Sequence, residues 1–162
     1  MNDFEFHNPV KIFFGKDQIL KIAGQISSKD NIMLLFGGGS IFKNGVYDKV
    51  KMALKDFRVT EFGGIEPNPT YETSMKAVEI IKEKKIDFLL AAGGGSVVDA
   101  TKFIAAASLY ENGDPWKILS LNERVKASLP FGVILTLPAT GTEMNKNSVI
   151  SRKTKEEKFA FS

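Results

Sequence analysis

Two short segments of the sequence each place three glycines before a serine, directly after an apolar run. They are residues 37–40, which follow residues 31–36, and residues 93–96, which follow residues 88–92. Glycine lets a backbone approach a ligand closely, and the free N–H groups at the start of a following helix attract anions. Ser40 and Ser96 are suited to cap those helices and to donate to a phosphate oxygen. The repeated pattern predicts a nucleotide or another phosphate-bearing ligand; the alternative is a tight turn with a serine cap.

The glycine segments match neither of two familiar nucleotide motifs. No Gly-Lys-Ser/Thr follows either segment, so they are not Walker loops. Phe42 and Val98 stand where the dinucleotide pattern Gly-x-Gly-x-x-Gly requires its third glycine. A phosphate-binding role therefore rests on the general chemistry of the loops.

Three further polar features are expected near these loops. Asn68 lies between two prolines, which favour an extended backbone there and suit its amide for a ribose or ring edge; a helix-entrance turn is the alternative. Residues 136–145 form a hydroxyl-rich segment after another apolar run. Asp99, in the first helical turn after the second glycine segment, is expected to face the ligand, although Asp99 and Lys102 could instead form a surface pair.

Composition limits the classes of function. The 162 residues suit one domain, and 43% hydrophobic with 25% charged residues is ordinary for a globular fold. No apolar run approaches the roughly 20 residues of a membrane span, and the first seven residues do not resemble a signal peptide. A net charge of +3 with interleaved signs does not favour nucleic acid, and the absence of cysteine fits the cytoplasm. The single histidine, His7, excludes a histidine-rich metal site within the chain.

The elements that must position these residues alternate between strands and helices. Strands are predicted at residues 11–15, 31–36, 58–62, 88–92 and 131–137, helices between them, and a hairpin over residues 148–162. Strands that are apolar without alternation are covered on both faces, which indicates a doubly wound α/β fold with a parallel sheet. The carboxyl ends of parallel strands share one edge, where ligands collect.

Five motifs together resemble the iron-containing (group III) alcohol dehydrogenases, especially the NADPH-dependent aldehyde reductase and butanol dehydrogenase branch. They lie at residues 14–16, 37–40, 62–69, 93–102 and 137–143. The resemblance implies a mostly parallel Rossmann-like sheet with flanking helices and a C-terminal β-hairpin. It also implies that residues 1–162 are the NADP(H)-binding N-terminal domain, truncated before the last strand of the sheet. The helical domain that binds a divalent metal, iron or zinc, would follow Ser162.

The resemblance also assigns cofactor contacts, position by position. The predicted set is Gly37, Gly38, Gly39, Ser40, Asn68, Gly94, Gly95, Ser96, Asp99, Thr136, Thr140, Asn145 and Lys158. It implies no catalytic residue and no metal ligand within this chain. Leu137 stands where the family commonly has a threonine, so one hydroxyl contact is missing.

The resemblance implies hydride transfer between NADP(H) and a small aldehyde or primary alcohol. NAD-preferring relatives have Asp at the position of Gly39, and here Ser40 and Lys43 favour a 2′-phosphate instead. The 162-residue chain alone is predicted to be inactive. Two alternatives are a stand-alone nucleotide-binding module and a relative of glycerol dehydrogenase or dehydroquinate synthase; a homodimer is left open.

Overall fold

A computed structural model describes residues 3–5 and 7–162. Met1, Asn2 and Phe6, part of the segment predicted not to be a signal peptide, lie outside the described residues. Four parallel strands form the main sheet in the order β2-β1-β3-β4. The strands are β1 (Asn31–Phe36), β2 (Arg58–Phe62), β3 (Phe88–Gly93) and β4 (Phe131–Leu135).

The two central strands supply apolar side chains to both faces of the sheet. Leu34 of β1 packs on one face with Val50 and Leu54. Leu35, the next residue, packs on the other face with Phe103 and neighbouring helix residues. Side chains alternate between the faces of a strand, so a strand that is buried throughout needs helices on both sides. The predicted doubly wound α/β sheet is confirmed.

Helices cover both faces of the sheet. They are α1 (Ser40–Lys43), α2 (Val46–Ala53), α3 (Tyr71–Lys84), α4 (Gly95–Ser108) and α5 (Lys117–Ser120), with 3₁₀ segments at Gln18–Gln25, Thr142–Met144 and Lys153–Lys155. A side-chain cap begins the α3 helix, since the Thr70 hydroxyl oxygen accepts from the Thr73 N–H at 3.2 Å. Eleven of the fourteen residues of α4 are buried, because α4 lies between the sheet and a C-terminal hairpin.

The hairpin consists of β5 (Ser148–Arg152) and β6 (Glu157–Phe161), which pair antiparallel. Its turn lies at Lys153–Lys155 and Glu156, as predicted, with Glu156 at a φ of 54°. Ile150 is fully buried, and β5 contacts both α3 and α4. The hairpin is therefore docked on the helices rather than extended from the domain.

Two sequence-based predictions about strands are wrong. The strand expected at residues 11–15 does not form: these residues are exposed and belong to no ladder within the described chain. The strand expected at residues 131–137 ends at Leu135, because the backbone turns at Thr136 into the following loop. No helix within residues 3–5 and 7–162 has the length and apolar character that crossing a membrane requires.

Candidate functional site

Three loops leave the sheet side by side. Phe36 at the end of β1 is opposite Ala92 of β3, and Gly93 is opposite Leu135 at the end of β4. The Thr136 N–H donates to the Gly93 carbonyl at 3.0 Å, joining the second and third loops. The two glycine segments and the hydroxyl-rich segment thus share one edge of the sheet, as the sequence predicts.

The first glycine loop is open. Gly38 is exposed, and among the described residues nothing lies within 4 Å of the place where its Cβ would be. Gly39 has a φ of 104°, a conformation that side chains disfavour, and it is the N-cap of α1. The predicted capping role of Ser40 is therefore wrong: Gly39 is the N-cap and makes no side-chain cap bond, and Ser40 is the first helical residue, with an exposed side chain.

The second glycine loop is tightly enclosed at its start. A Cβ at Gly93 would lie 2.6 Å from Cγ2 of Val97, so this position excludes a side chain. Gly94 is the N-cap of α4 without a side-chain cap, which makes the predicted capping role of Ser96 wrong as well. Gly95 and Ser96 occupy the first turn, where N–H groups have no intrahelical acceptor. The loop therefore presents backbone donors at the positive end of a helix of fourteen residues.

The third loop reaches back over the second. The Oγ1 atom of Thr140 lies 3.5 Å from where a Cβ of Gly95 would be, and Thr140 itself is exposed. Thr136 follows β4 directly and is half-buried. The structure therefore brings both threonines of the predicted set to the start of α4.

Asn68 and Lys158 meet although they are far apart in the sequence. The Lys158 ammonium donates to Oδ1 of Asn68 at 3.0 Å, and both side chains are exposed. Asn68 has a φ of 56°, so the expected extended backbone is wrong. Asparagine tolerates the left-handed region better than most residues, and here the turn into α3 requires it.

Asp99 is held in place by the third loop and the hairpin. Its Oδ1 accepts from the Thr142 hydroxyl at 2.7 Å, and its Oδ2 accepts from the Val149 N–H at 3.2 Å. Lys102 is only 6% exposed and donates to Oδ1 of Asn145 at 3.1 Å. The alternative of an Asp99–Lys102 surface pair is therefore wrong, because Lys102 is buried under the third loop.

A cluster of side chains that was not predicted from the sequence holds the hairpin against the rest of the domain. The Arg152 guanidinium lies 2.9 Å from Oδ2 of Asp114 and 4.3 Å from the centre of the Tyr71 ring. The Tyr71 hydroxyl donates to the other oxygen of Asp114 at 2.6 Å, and Trp116 donates to Glu157 at 2.8 Å. In the sequence, Asp114 before Pro115 is typical of a helix start and does not indicate an ion pair with the hairpin.

These contacts shift the pKa values of the cluster. Desolvation raises the pKa of Asp114, but hydrogen bonds from Tyr71, the Trp116 N–H and Arg152 outweigh it, so the net pKa lies below the ordinary value. Desolvation and the bond to Asp114 raise the pKa of the Tyr71 phenol. The cluster thus favours an ionised carboxylate at Asp114.

The edge of the sheet suits an elongated anion. It offers backbone donors from two glycine loops, hydroxyls of Ser40, Ser96 and Thr140, and the Lys158 ammonium. Within residues 3–5 and 7–162, no three His, Cys, Asp or Glu side chains are grouped to hold a metal ion, and His7 is exposed.

A family model described as iron-containing alcohol dehydrogenase matches residues 9–162. The chain belongs to the iron-containing alcohol dehydrogenase family. The family predicted from the five motifs is confirmed.

Curated relatives match along nearly the whole chain. The NADPH-dependent aldehyde reductase YqhD of Escherichia coli (strain K12) is 54% identical over 163 residues, covering 99% of this chain and 42% of the relative. The probable NADH-dependent butanol dehydrogenase 1 of Bacillus subtilis (strain 168) is 44% identical over 164 residues, with the same two coverages of 99% and 42%. The chain therefore spans about two fifths of the length of these relatives.

Solved structures agree in fold. The crystal structure of E. coli K-12 YqhD has a TM-score of 0.94 at 52% identity, covering 99% of this chain and 42% of that one. The NADH-dependent butanol dehydrogenase A from Thermotoga maritima also has a TM-score of 0.94, at 43% identity, covering 100% and 42%. The fold of this chain is thus that of the matched part of these dehydrogenases.

Substitution of Gly93 tests the enclosed start of the second loop. In Gly93→Ala the new methyl group would meet Val97 at 2.6 Å, so we expect a loss of roughly 1–3 kcal/mol in the free energy of unfolding. Urea denaturation measures it. Adding Val97→Ala should recover part of the loss, and Gly38→Ala, which meets open space, is the matched control. Equal stabilities of Gly93→Ala and Gly38→Ala would contradict the steric account.

The Asp114 cluster predicts a dependence of stability on pH. A carboxyl pKa that is lower in the folded state contributes stability above the unfolded value of about 3.9, and this is lost as the pH falls through the folded value. In urea denaturation, Asp114→Asn should therefore have a lower free energy of unfolding than the unsubstituted chain at pH 6. The difference between the two free energies should be smaller at pH 3. A gap that does not change with pH would refute the assignment.

Proposed function

We propose that the chain binds NADP(H) for an enzyme that transfers a hydride between the nicotinamide and a small aldehyde or primary alcohol. The named activities of the relatives, an NADPH-dependent aldehyde reductase and a probable butanol dehydrogenase, support this reaction class. The cofactor carries out the redox step, and this chain binds and orients the cofactor. The absence of cysteine supports a cytoplasmic enzyme.

The observation that carries the proposal is the meeting of two glycine loops at one edge of the sheet. Adjacent parallel strands deliver both loops, so their backbone N–H groups face the same space. A dinucleotide has two linked phosphates between two nucleosides, and it needs donors along such a length. A single tight turn with a serine cap would not need the second loop, and neither serine caps its helix by its side chain.

The predicted contacts divide along the dinucleotide. In this proposal the first loop, with Gly38, Gly39 and Ser40, binds the adenosine ribose. The start of α4, with Gly94, Gly95, Ser96 and Asp99, faces the pyrophosphate and the nicotinamide side. The remaining proposed contacts are Gly37, Asn68, Thr136, Thr140, Asn145 and Lys158.

The choice of NADP(H) over NAD(H) rests on the first loop. Residue 39 is glycine, so no carboxylate is present there to accept a hydrogen bond from a ribose 2′-hydroxyl or to repel a 2′-phosphate. Ser40 and Lys43 are exposed on α1, where a hydroxyl and an ammonium can reach a phosphate. The relatives include both NADPH- and NADH-dependent proteins, so the proposed preference for NADP(H) depends on these local groups.

The metal in the family's name has no fitting residues here. The described part of the chain groups no set of ligands, so we derive no step through a metal and assign it to residues outside this chain. We expect the purified 162-residue chain to show no aldehyde-dependent oxidation of NADPH, measured by absorbance with iron or zinc added. Turnover by this chain would contradict that assignment.

Cofactor preference can be tested at Gly39. We expect calorimetry to show tighter binding of NADP⁺ than of NAD⁺ by the unsubstituted chain. Gly39→Asp should weaken NADP⁺ binding by about ten-fold or more, because a carboxylate repels the 2′-phosphate. Gly39→Asn has the same shape without the charge, so it controls for backbone strain at this φ of 104°.

Two results would count against the proposal. Absence of NADP⁺ binding by the unsubstituted, folded chain would overturn the binding function. Equal effects of Asp and Asn at position 39 would instead overturn only the electrostatic basis of the NADP(H) preference.

A further inference from the structure

Lys102 is a buried cation at the centre of the candidate site. It lies in the second turn of α4 and is 6% exposed. Its ammonium donates to the Thr142 hydroxyl at 2.8 Å, to Oδ1 of Asn145 at 3.1 Å and to the Asn147 carbonyl at 2.7 Å. An ammonium has three donors, so each one has an acceptor on the third loop.

The bond to Thr142 sets the direction of a hydrogen-bond chain. An ammonium can only donate, so the Thr142 oxygen accepts from it and keeps its single proton for another partner. That proton goes to Oδ1 of Asp99 at 2.7 Å. Lys102 is thus linked to Asp99 through one hydroxyl, and it fixes how that hydroxyl points.

The bond to Asn145 fixes an amide. With Oδ1 of Asn145 toward the ammonium and toward the Asn147 N–H at 2.9 Å, its Nδ2 donates to the Gly141 carbonyl at 2.9 Å. The opposite orientation would place an NH₂ group against the ammonium, which has no lone pair to accept it. The turn from Gly141 to Asn147 is therefore closed around Lys102.

The charge of Lys102 matters for this arrangement. Burial lowers the pKa of Lys102 below its ordinary value, and the nearby carboxylates of Asp99 and Glu143 offset only part of that effect. A buried lysine is stable only when its donors are paired, and here all of the acceptors come from the loop that it organises. Removal of the ammonium would leave those acceptors without their common donor.

We propose that Lys102 is a positioning residue for the dinucleotide: it holds Asp99 through Thr142, and the loop of Thr140 and Asn145, against the pyrophosphate and nicotinamide side. This rests on the proposed function. It does not involve the first glycine loop, to which none of these hydrogen bonds extends. The role therefore concerns one half of the cofactor and not the adenosine half.

The experiment compares the whole cofactor with its adenosine half. In Lys102→Met, calorimetry should show NADP⁺ binding weakened about ten-fold, the order expected for losing charged hydrogen bonds. Binding of adenosine 2′-monophosphate, which lacks the pyrophosphate and the nicotinamide side, should stay within about two-fold. Thr101→Val is the matched control: Thr101 is buried beside Lys102, and its hydroxyl bonds only the Val97 carbonyl within α4.

The outcomes separate the two proposals. Equal weakening of both ligands in Lys102→Met would show a general scaffold role and overturn the inference. Unchanged NADP⁺ binding would overturn it as well. If the unsubstituted chain bound neither ligand, the proposed function would fail, and this inference with it.

A second pair of variants tests the chain of hydrogen bonds if Lys102→Met does not fold. Thr142→Val removes the hydroxyl between Lys102 and Asp99, whereas Thr142→Ser keeps it. We expect weaker NADP⁺ binding in the valine variant and near-normal binding in the serine variant. Equal binding by the two variants would overturn the role of the hydroxyl.

Discussion

The parallel pairing of β1 with β3 determines where every later feature lies. Both strands are buried along their length, and their register sets Phe36 opposite Ala92. A shift of one residue would turn each apolar side chain to the wrong face, so burial on both faces fixes the register. Because the strands run in the same direction, the two glycine loops must leave the same edge. The position of both loops at one edge thus follows from the hydrophobic core and needs no contact between the loops themselves.

Charged side chains then hold the hairpin and the third loop in place beside that edge. Arg152 on β5 is held by Asp114 and by the Tyr71 ring, which docks the hairpin against α3. Docking carries Lys158 of the neighbouring strand to Asn68. On the other side, Lys102 closes the third loop around α4. Two partly or fully buried cations thus hold the hairpin and the third loop, while the Lys158 side chain remains exposed. Lys102 needs several acceptors because it is buried, and Thr142, Asn145 and Asn147 supply them.

The features that could be predicted from sequence are those set by local pattern. Apolar runs bounded by glycine identified the parallel strands, and the alternation after Ser148 identified the hairpin. The failures concern positions decided by distant partners. Asn68 is left-handed because of a turn that the flanking prolines did not reveal. The sequence favours a surface position for Lys102. In the structure, Thr142 and Asn147, some forty residues later, cover it. The loops proposed to contact a ligand follow from local sequence patterns, whereas the burial of Lys102 depends on residues distant in the sequence.

The glycines of the two loops are explained by different causes, and the difference bears on function. Gly93 excludes a side chain because Val97 occupies the space, and Gly63, outside the two loops, does so because the Phe36 ring occupies the position of its would-be Cβ. The protein's own core requires both. Gly38 has neither cause: its φ is not left-handed, and within the described chain its Cβ would meet nothing within 4 Å. Folding alone would accept alanine there. Glycine at this exposed position therefore supports the proposed binding of a phosphate by backbone N–H groups, which requires close approach to the chain.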